Sequence, residues 1–152
     1  MDYRDILDAI PQLIFVTKAD GITGVFYNSA WYQYTGLSEE DTASGLGAII
    51  DPYDTERVSS IIKNAVSNGE PYEVEVRIRH DHTGAFKWFL SKANPVKDSS
   101  GNITNYVGIS TDIDIIKKSV RDMETVYEHA MAERIEKIKR LEDELKIHKS
   151  VI

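Results

Sequence analysis

The chain has 152 residues, 41% hydrophobic and 28% charged, the size and balance of one soluble domain. It contains no cysteine, which excludes disulfides, thiolate catalysis and cysteine metal sites together. All of the net charge of −7 falls on residues 1–112, while residues 113–152 balance nine Lys/Arg against nine Asp/Glu, so no basic face is expected for nucleic acid or an anionic membrane.

No apolar run is long enough to span a bilayer. The N-terminus carries no signal-peptide pattern, since Asp2, Arg4, Asp5 and Asp8 interrupt its apolar residues. The chain as given is expected to be cytoplasmic, alone or as one piece of a membrane receptor.

In chain order, residues 2–10 predict a short amphipathic helix built on Ile6, Leu7 and Ile10 and stopped by Pro11. Gln12 to Tyr27 predicts a β-hairpin turning at Asp20-Gly21. Asn28 caps a helix that Gly36 ends. Ser38-Glu-Glu-Asp41 is a capping box. Asp51-Pro52 signals another helix start, continuing with Val58, Ile61, Ile62, Ala65 and Val66 at helical spacing to Asn68-Gly69. Three strands follow. The first alternates Tyr72, Val74, Val76 and Ile78 against Glu73, Glu75, Arg77 and Arg79. Short turns between strands require antiparallel pairing. The expectation is α+β: a five-stranded antiparallel sheet with helices on one face, plus a long C-terminal helix. The segments are a capping helix (1–10), a sheet domain (11–112) and a helix (113–152).

The final segment places Val120, Met123, Tyr127, Met131, Ile135, Ile138, Leu141, Leu145 and Ile152 on one stripe, with a stutter near Met131. Glu133/Lys137, Glu136/Arg140 and Glu142/Lys146 are acid-first pairs four apart that support an exposed helix. At 1.5 Å per residue it is about 55 Å long. A one-sided apolar stripe of that length calls for a partner, and the nearest is a second copy, which predicts a parallel coiled-coil homodimer.

The order of elements resembles the PAS domain, and so do specific residues. Asn28, Trp31, Tyr34, Thr35 and Gly36 match an N-x-x-W-x-x-Y-T-G pattern. Residues 51–58, "DPYDTERV", resemble the family's "HPDD" turn, with Asp51 in place of His and Tyr53 in place of the first Asp. The stretch from Gly69 to Asp114 is similar to the family's C-terminal half, with "GEPYE", a Gly followed by Trp88-Phe89, and "GISTDID". The likeness covers about residues 5–114. It implies a sensory module whose sheet and short helices enclose a cavity and whose flanking helices pass signals. It further implies that Thr111, Asp112, Ile113 and Asp114 form the sheet-to-helix junction, where the family commonly has Asp-Ile-Thr. Asp114 replaces that Thr, which puts any coupling through its hydroxyl in doubt.

Covalent flavin photochemistry in the light-oxygen-voltage subgroup needs a Cys, and none exists here. The subgroup's strand Gln falls at about Ser110, so no flavin is expected. Haem is not expected either, because residues 52–67 offer no His as axial ligand. His80, Asp81 and His82 read as a polar turn rather than a metal site. His129 and His148 lack a phospho-acceptor context, and no P-loop, G-x-G-x-x-G or G-x-S-x-G motif occurs, so no catalysis is expected in this chain.

Candidate cavity walls are Ile14, Val16, Phe26, Trp31, Tyr34, Val58, Ile62, Val74, Val76, Trp88, Leu90, Val107 and Ile109, with Asn28, Tyr34, Arg77 and Ser110 as polar contacts. These residues describe either a filled core or a small-molecule pocket. The expected function is a homodimeric sensor relaying a signal through its C-terminal helix to an effector domain or partner protein. The alternatives are a regulatory piece of a histidine kinase or diguanylate cyclase, and a ligand-free dimerisation adaptor.

Overall fold

The structure, a computed structural model, describes residues 1–43 and 45–151. Ile152, the last residue of the predicted stripe, lies outside the described residues. The elements in order are α1 (Tyr3–Asp8), β1 (Leu13–Lys18), β2 (Gly24–Tyr27), α2 (Ser29–Thr35), α3 (Glu39–Ala43), α4 (Thr55–Asn68), β3 (Tyr72–Arg79), β4 (Phe86–Lys97), β5 (Ile103–Asp112) and α5 (Asp114–Val151). The chain divides into two compact units, Met1–Asp114 and Ile115–Ile152.

The first unit is built on a five-stranded antiparallel sheet in the order β2-β1-β5-β4-β3. Three pairings are hairpins. The fourth joins β1 to β5 across most of the chain and closes the sheet. Between β2 and β3, the helices cover the face that carries Phe15, Val76 and Ser110. Local chemistry sets their limits. The Asn28 side chain accepts from Trp31 N at 3.4 Å to start α2, and Gly36 ends it with φ of 68°, a left-handed turn that glycine adopts without strain. Ser38 and Asp41 exchange bonds of 3.2 and 2.8 Å at the start of α3, the capping box expected there.

The helix expected from Asp51-Pro52 begins later, at Thr55. Asp51 accepts from Tyr53 N at 3.0 Å, which holds a turn instead. Asp54 stands at the cap position but makes no cap bond, because its carboxylate is taken by Arg77.

β3 buries every second residue, as its alternation requires. β1 is buried at five of six positions to at least an intermediate degree, so both of its faces are covered. Phe15 packs over Gly108, its cross-strand partner, so closely that any side chain there would collide with the ring.

α5 is a single helix of 38 residues with none buried within one chain. Val120, Met123, Tyr127, Met131, Ile135, Ile138, Leu141 and Leu145 are between 37% and 72% exposed. Glu136 and Arg140 pair at 3.3 Å along the helix.

Candidate functional site: an uncharged cavity and a strand-to-helix joint

A cavity of about 230 Å³ lies between the sheet and helices α2 and α4. Phe15, Val74, Val76, Ser91 and Ser110 form its floor, Trp31 comes from α2, and Val58 and Ile62 come from α4. Among the described residues, no charged side chain lines it. An aromatic wall runs through it: Trp31 meets Phe15 edge-on at 6.0 Å and Tyr27 at 5.2 Å. The polar groups differ in how well they are served. Ser91 and Ser110 share a hydrogen bond of 2.6 Å, and the Thr17 hydroxyl donates to the Lys18 carbonyl at 3.0 Å. Tyr27 Oη and Trp31 Nε1 are shut off from solvent with no hydrogen-bond partner. Burial pushes the Tyr27 phenol up to about 12, so it remains a donor at any physiological pH.

Of the predicted wall and contact residues, Trp31, Val58, Ile62, Val74, Val76 and Ser110 line this cavity. Asn28 does not. It is fully buried as a clamp, accepting from Ile14 N at 3.0 Å and donating to the carbonyls of Leu7, Ile10 and Gln12 at 3.0, 3.2 and 2.8 Å. Tyr34 lies past the cavity, its ring 4.8 Å from His80 and 5.0 Å from Phe89, its hydroxyl donating to the Ile78 carbonyl at 3.3 Å.

Arg77 and Trp88 belong to the opposite face of the sheet, as do Ile14, Val16, Leu90, Val107 and Ile109. Phe26, paired with Val16, shares that face. The cavity-facing set is the other parity: Phe15, Thr17, Tyr27, Ser91 and Ser110. Gly108 was the available signal for β1, since a glycine inside an apolar strand marks a close approach and points to Phe15 opposite.

On the outer face, Arg77 bonds Asp54 at 2.9 and 3.0 Å and Asp51 at 3.1 Å, with its guanidinium 4.9 Å from the centre of the Trp88 ring. The Arg77 hydrogen bond holds the Asp54 carboxyl down at about 2, against the opposing effect of burial. Asp54 also accepts from Arg77 N and Asp51 N donates to Arg77 O, so this turn closes the free edge of β3.

The joint to α5 starts from Trp88. Its carbonyl accepts from Ile113 N at 2.9 Å and its N–H donates to Asp114 Oδ1 at 3.1 Å. Asp112 Oδ1 accepts from Asp114 N at 2.9 Å, which caps the start of the helix. Thr111 is exposed and pairs with Leu90 in the sheet. Asp114 thus uses a carboxylate where the resembling pattern has a hydroxyl. Burial first, then the charges of Asp112 and Asp114, pushes the Tyr34 phenol up to about 12. His80 and His82, 5.7 Å apart by ring centres, lie in the turn after β3, and among the described residues no group of three His, Cys, Asp or Glu could hold a metal ion.

Residues 24–110, more than half the chain, match the PAS fold family model. The chain belongs to the PAS family. This PAS domain is 32% identical over 123 residues to the peroxide stress-activated histidine kinase mak1 of Schizosaccharomyces pombe, covering 73% of the chain and 7% of the relative. It therefore spans a small part of that protein. The PAS domain of a protein from Colwellia psychrerythraea superposes with a TM-score of 0.61 at 25% identity, covering 74% of this chain and 94% of the other. An RNA-binding light-oxygen-voltage receptor shares the fold, with a TM-score of 0.67 at 19% identity over 83% of this chain and 36% of the other. Flavin adduct chemistry of the cysteine type has no residue to run on here, since the PAS domain carries no Cys. No helix among the described residues is long and apolar enough to cross a membrane.

Proposed function

We propose that this PAS domain is a sensory relay in which a change in the cavity shifts β5 and, through Asp112–Asp114, the start of a coiled coil formed by α5 and its copy. The observation that carries the reading is the position of β5. One strand contributes Ser110 to the cavity and, two residues later, Asp112 to the cap of α5. A small displacement at Ser110 has a short covalent path to the helix start, and packed elements pass such shifts on in discrete steps. The exposed apolar stripe of α5 supports a second copy as partner, because a lone helix with that stripe leaves it in water. An effector domain or partner protein reads the helix register, and the chain itself performs no catalysis.

The absence of native Cys makes the test direct. Single cysteines placed along α5 are oxidised and resolved on a non-reducing gel. Cysteines at Ile138 and Leu141 crosslink as dimers, and one at Lys137 does not. A monomer in light scattering at micromolar concentration would contradict the dimer.

A second reading makes the chain the regulatory part of a histidine kinase, and the relative's name supports it. The cavity and joint then act in the same way on a catalytic part carried elsewhere in the protein.

A further inference from the structure

The turn that leads into α4 forms part of the rim of the cavity. Ile50, just before Asp51, and Thr55, just after Asp54, both line the cavity. α4 then presents Val58, Ser59 and Ile62 to the same space, while β5 presents Ser110. A change in what fills the cavity therefore bears on α4 along successive turns as well as on β5.

The two acids of that turn converge on Arg77. Asp54 occupies the cap position of α4 yet makes no cap bond. Such a bond ordinarily stabilises a helix start. Here the local preference gives way to a tie with a strand. Asp54 Oδ1 accepts from Arg77 Nη2 at 2.9 Å, and Oδ2 accepts from Nε at 3.0 Å and from the backbone N–H at 2.9 Å. The Asp51 carboxylate lies 3.1 Å from Nη1. All three guanidinium nitrogens are thus engaged, in a planar fork that a lysine ammonium cannot copy.

The same guanidinium lies 4.9 Å from the centre of the ring of Trp88, its cross-strand partner. The Trp88 backbone holds Ile113 at 2.9 Å and Asp114 at 3.1 Å. One planar group therefore meets the cavity rim through two carboxylates and the output joint through one ring. Arg57 is a second tie of α4 to β3. Its Nη2 lies 3.2 Å from Asp54 Oδ1 and donates to the Glu75 carbonyl at 2.6 Å, but Glu75 pairs with Leu90 rather than with Trp88.

We infer that Arg77 is a positioning residue for the output, carrying displacements of the α4 start to Trp88 and so to Ile113 and Asp114 by a route separate from β5. The inference rests on the sensory reading above and adds a second route to it. Charge alone does not suffice. The plane of the fork must be held by Asp51 and Asp54 while it lies on the Trp88 ring.

The test is a double-mutant cycle on the full chain, since adjacency and coupling are different quantities. Val58→Phe enlarges a wall residue of α4, and its effect is read as the displacement of the Ile113 and Asp114 backbone amide signals in 15N-labelled protein. Every variant is checked for folding by circular dichroism, and Ile62→Phe replaces Val58→Phe should the latter not fold. In the native background the enlarged residue displaces both signals. With Arg77→Lys, which keeps the charge but not the fork, the displacement falls to about half or less. Trp88→Leu, which removes the ring and leaves the backbone, lowers it likewise. Arg57→Met leaves it at its native size, although it too removes an ionic tie of α4.

A displacement of native size in both Arg77→Lys and Trp88→Leu would overturn the inference and leave β5 as the route. An equal fall in Arg57→Met would also overturn it, because any loosening of α4 would then act alike. No displacement at Ile113 and Asp114 in the native background would overturn it as well. Displacements that depend on Arg77, with α5 crosslinking unchanged by Val58→Phe, would uphold it and defeat the relay, so the two claims fail separately.

Discussion

The two faces of the sheet carry opposite chemistry on the same strands. On the inner face, Phe15, Val76 and Ser110 bound a cavity that no charged side chain lines among the described residues. On the outer face, Arg77 joins Asp51 and Asp54 and lies over Trp88, whose backbone holds the start of α5. β3 turns Val76 inward and Arg77 outward, and β4 turns Trp88 outward and Phe89 inward. A sheet one strand thick thus separates an apolar cavity from an ionic and aromatic cluster. Strand alternation lets the same strands carry two different chemistries, one on each face.

Breaking the element that supports both faces has the largest expected effect. Asn28 ties α1, the approach to β1 and the start of α2 with one side chain. Asn28→Ala leaves several buried backbone groups without partners and lowers stability by about 3 kcal/mol or more, read by thermal or urea unfolding.

Next comes the outer face alone. Arg77→Met removes the partner of Asp54, whose side chain is 4% exposed. Stability falls by about 2 kcal/mol at neutral pH. The same pair sets an acid sensitivity. The folded Asp54 pKa of about 2 lies below its ordinary 3.8, so its contribution is complete above pH 3.8 and is lost as pH falls from there towards 2. In Arg77→Met that loss flattens, which urea titrations across this window would measure.

The inner face gives a smaller effect. Ser91→Ala leaves the Ser110 hydroxyl without its partner and costs about 1 kcal/mol, whereas Ser91→Ala with Ser110→Ala costs less than the single change, because both members of the pair are gone. Smallest is the joint. Asp112→Ala removes one cap bond at the start of α5 and costs about 0.5–1 kcal/mol while loosening the coupling, seen as evened-out crosslinking along α5. Unchanged crosslinking would reduce the joint to a linker.

The sequence made the elements legible where local chemistry decides them. The β3 alternation, the Asn28 and Ser38 caps and the Gly36 and Gly69 stops each state their own geometry. The face of β1 was not legible, because Leu13, Ile14, Phe15 and Val16 are apolar without a break and both faces are covered. That one-residue ambiguity moves the β1 wall residues to the other side, and it carried Val107, Ile109, Leu90 and Trp88 with it through the registry. Trp31, Val58 and Ile62 came through because helical spacing fixes a face by itself. Asn28 and Arg77 were visible as polar residues that matter, but their partners lie 14 to 26 residues away in sequence and follow only from the fold.

The most direct measurement of the central claim is disulfide formation between copies of α5, with one cysteine at a time at Ile138, Leu141 and Leu145, in the native background and in Val76→Phe, which fills part of the cavity. The three positions are expected to crosslink in the native background, and their relative rates to change by about twofold or more when the cavity is filled. Identical rates with the cavity empty and filled would contradict the relay.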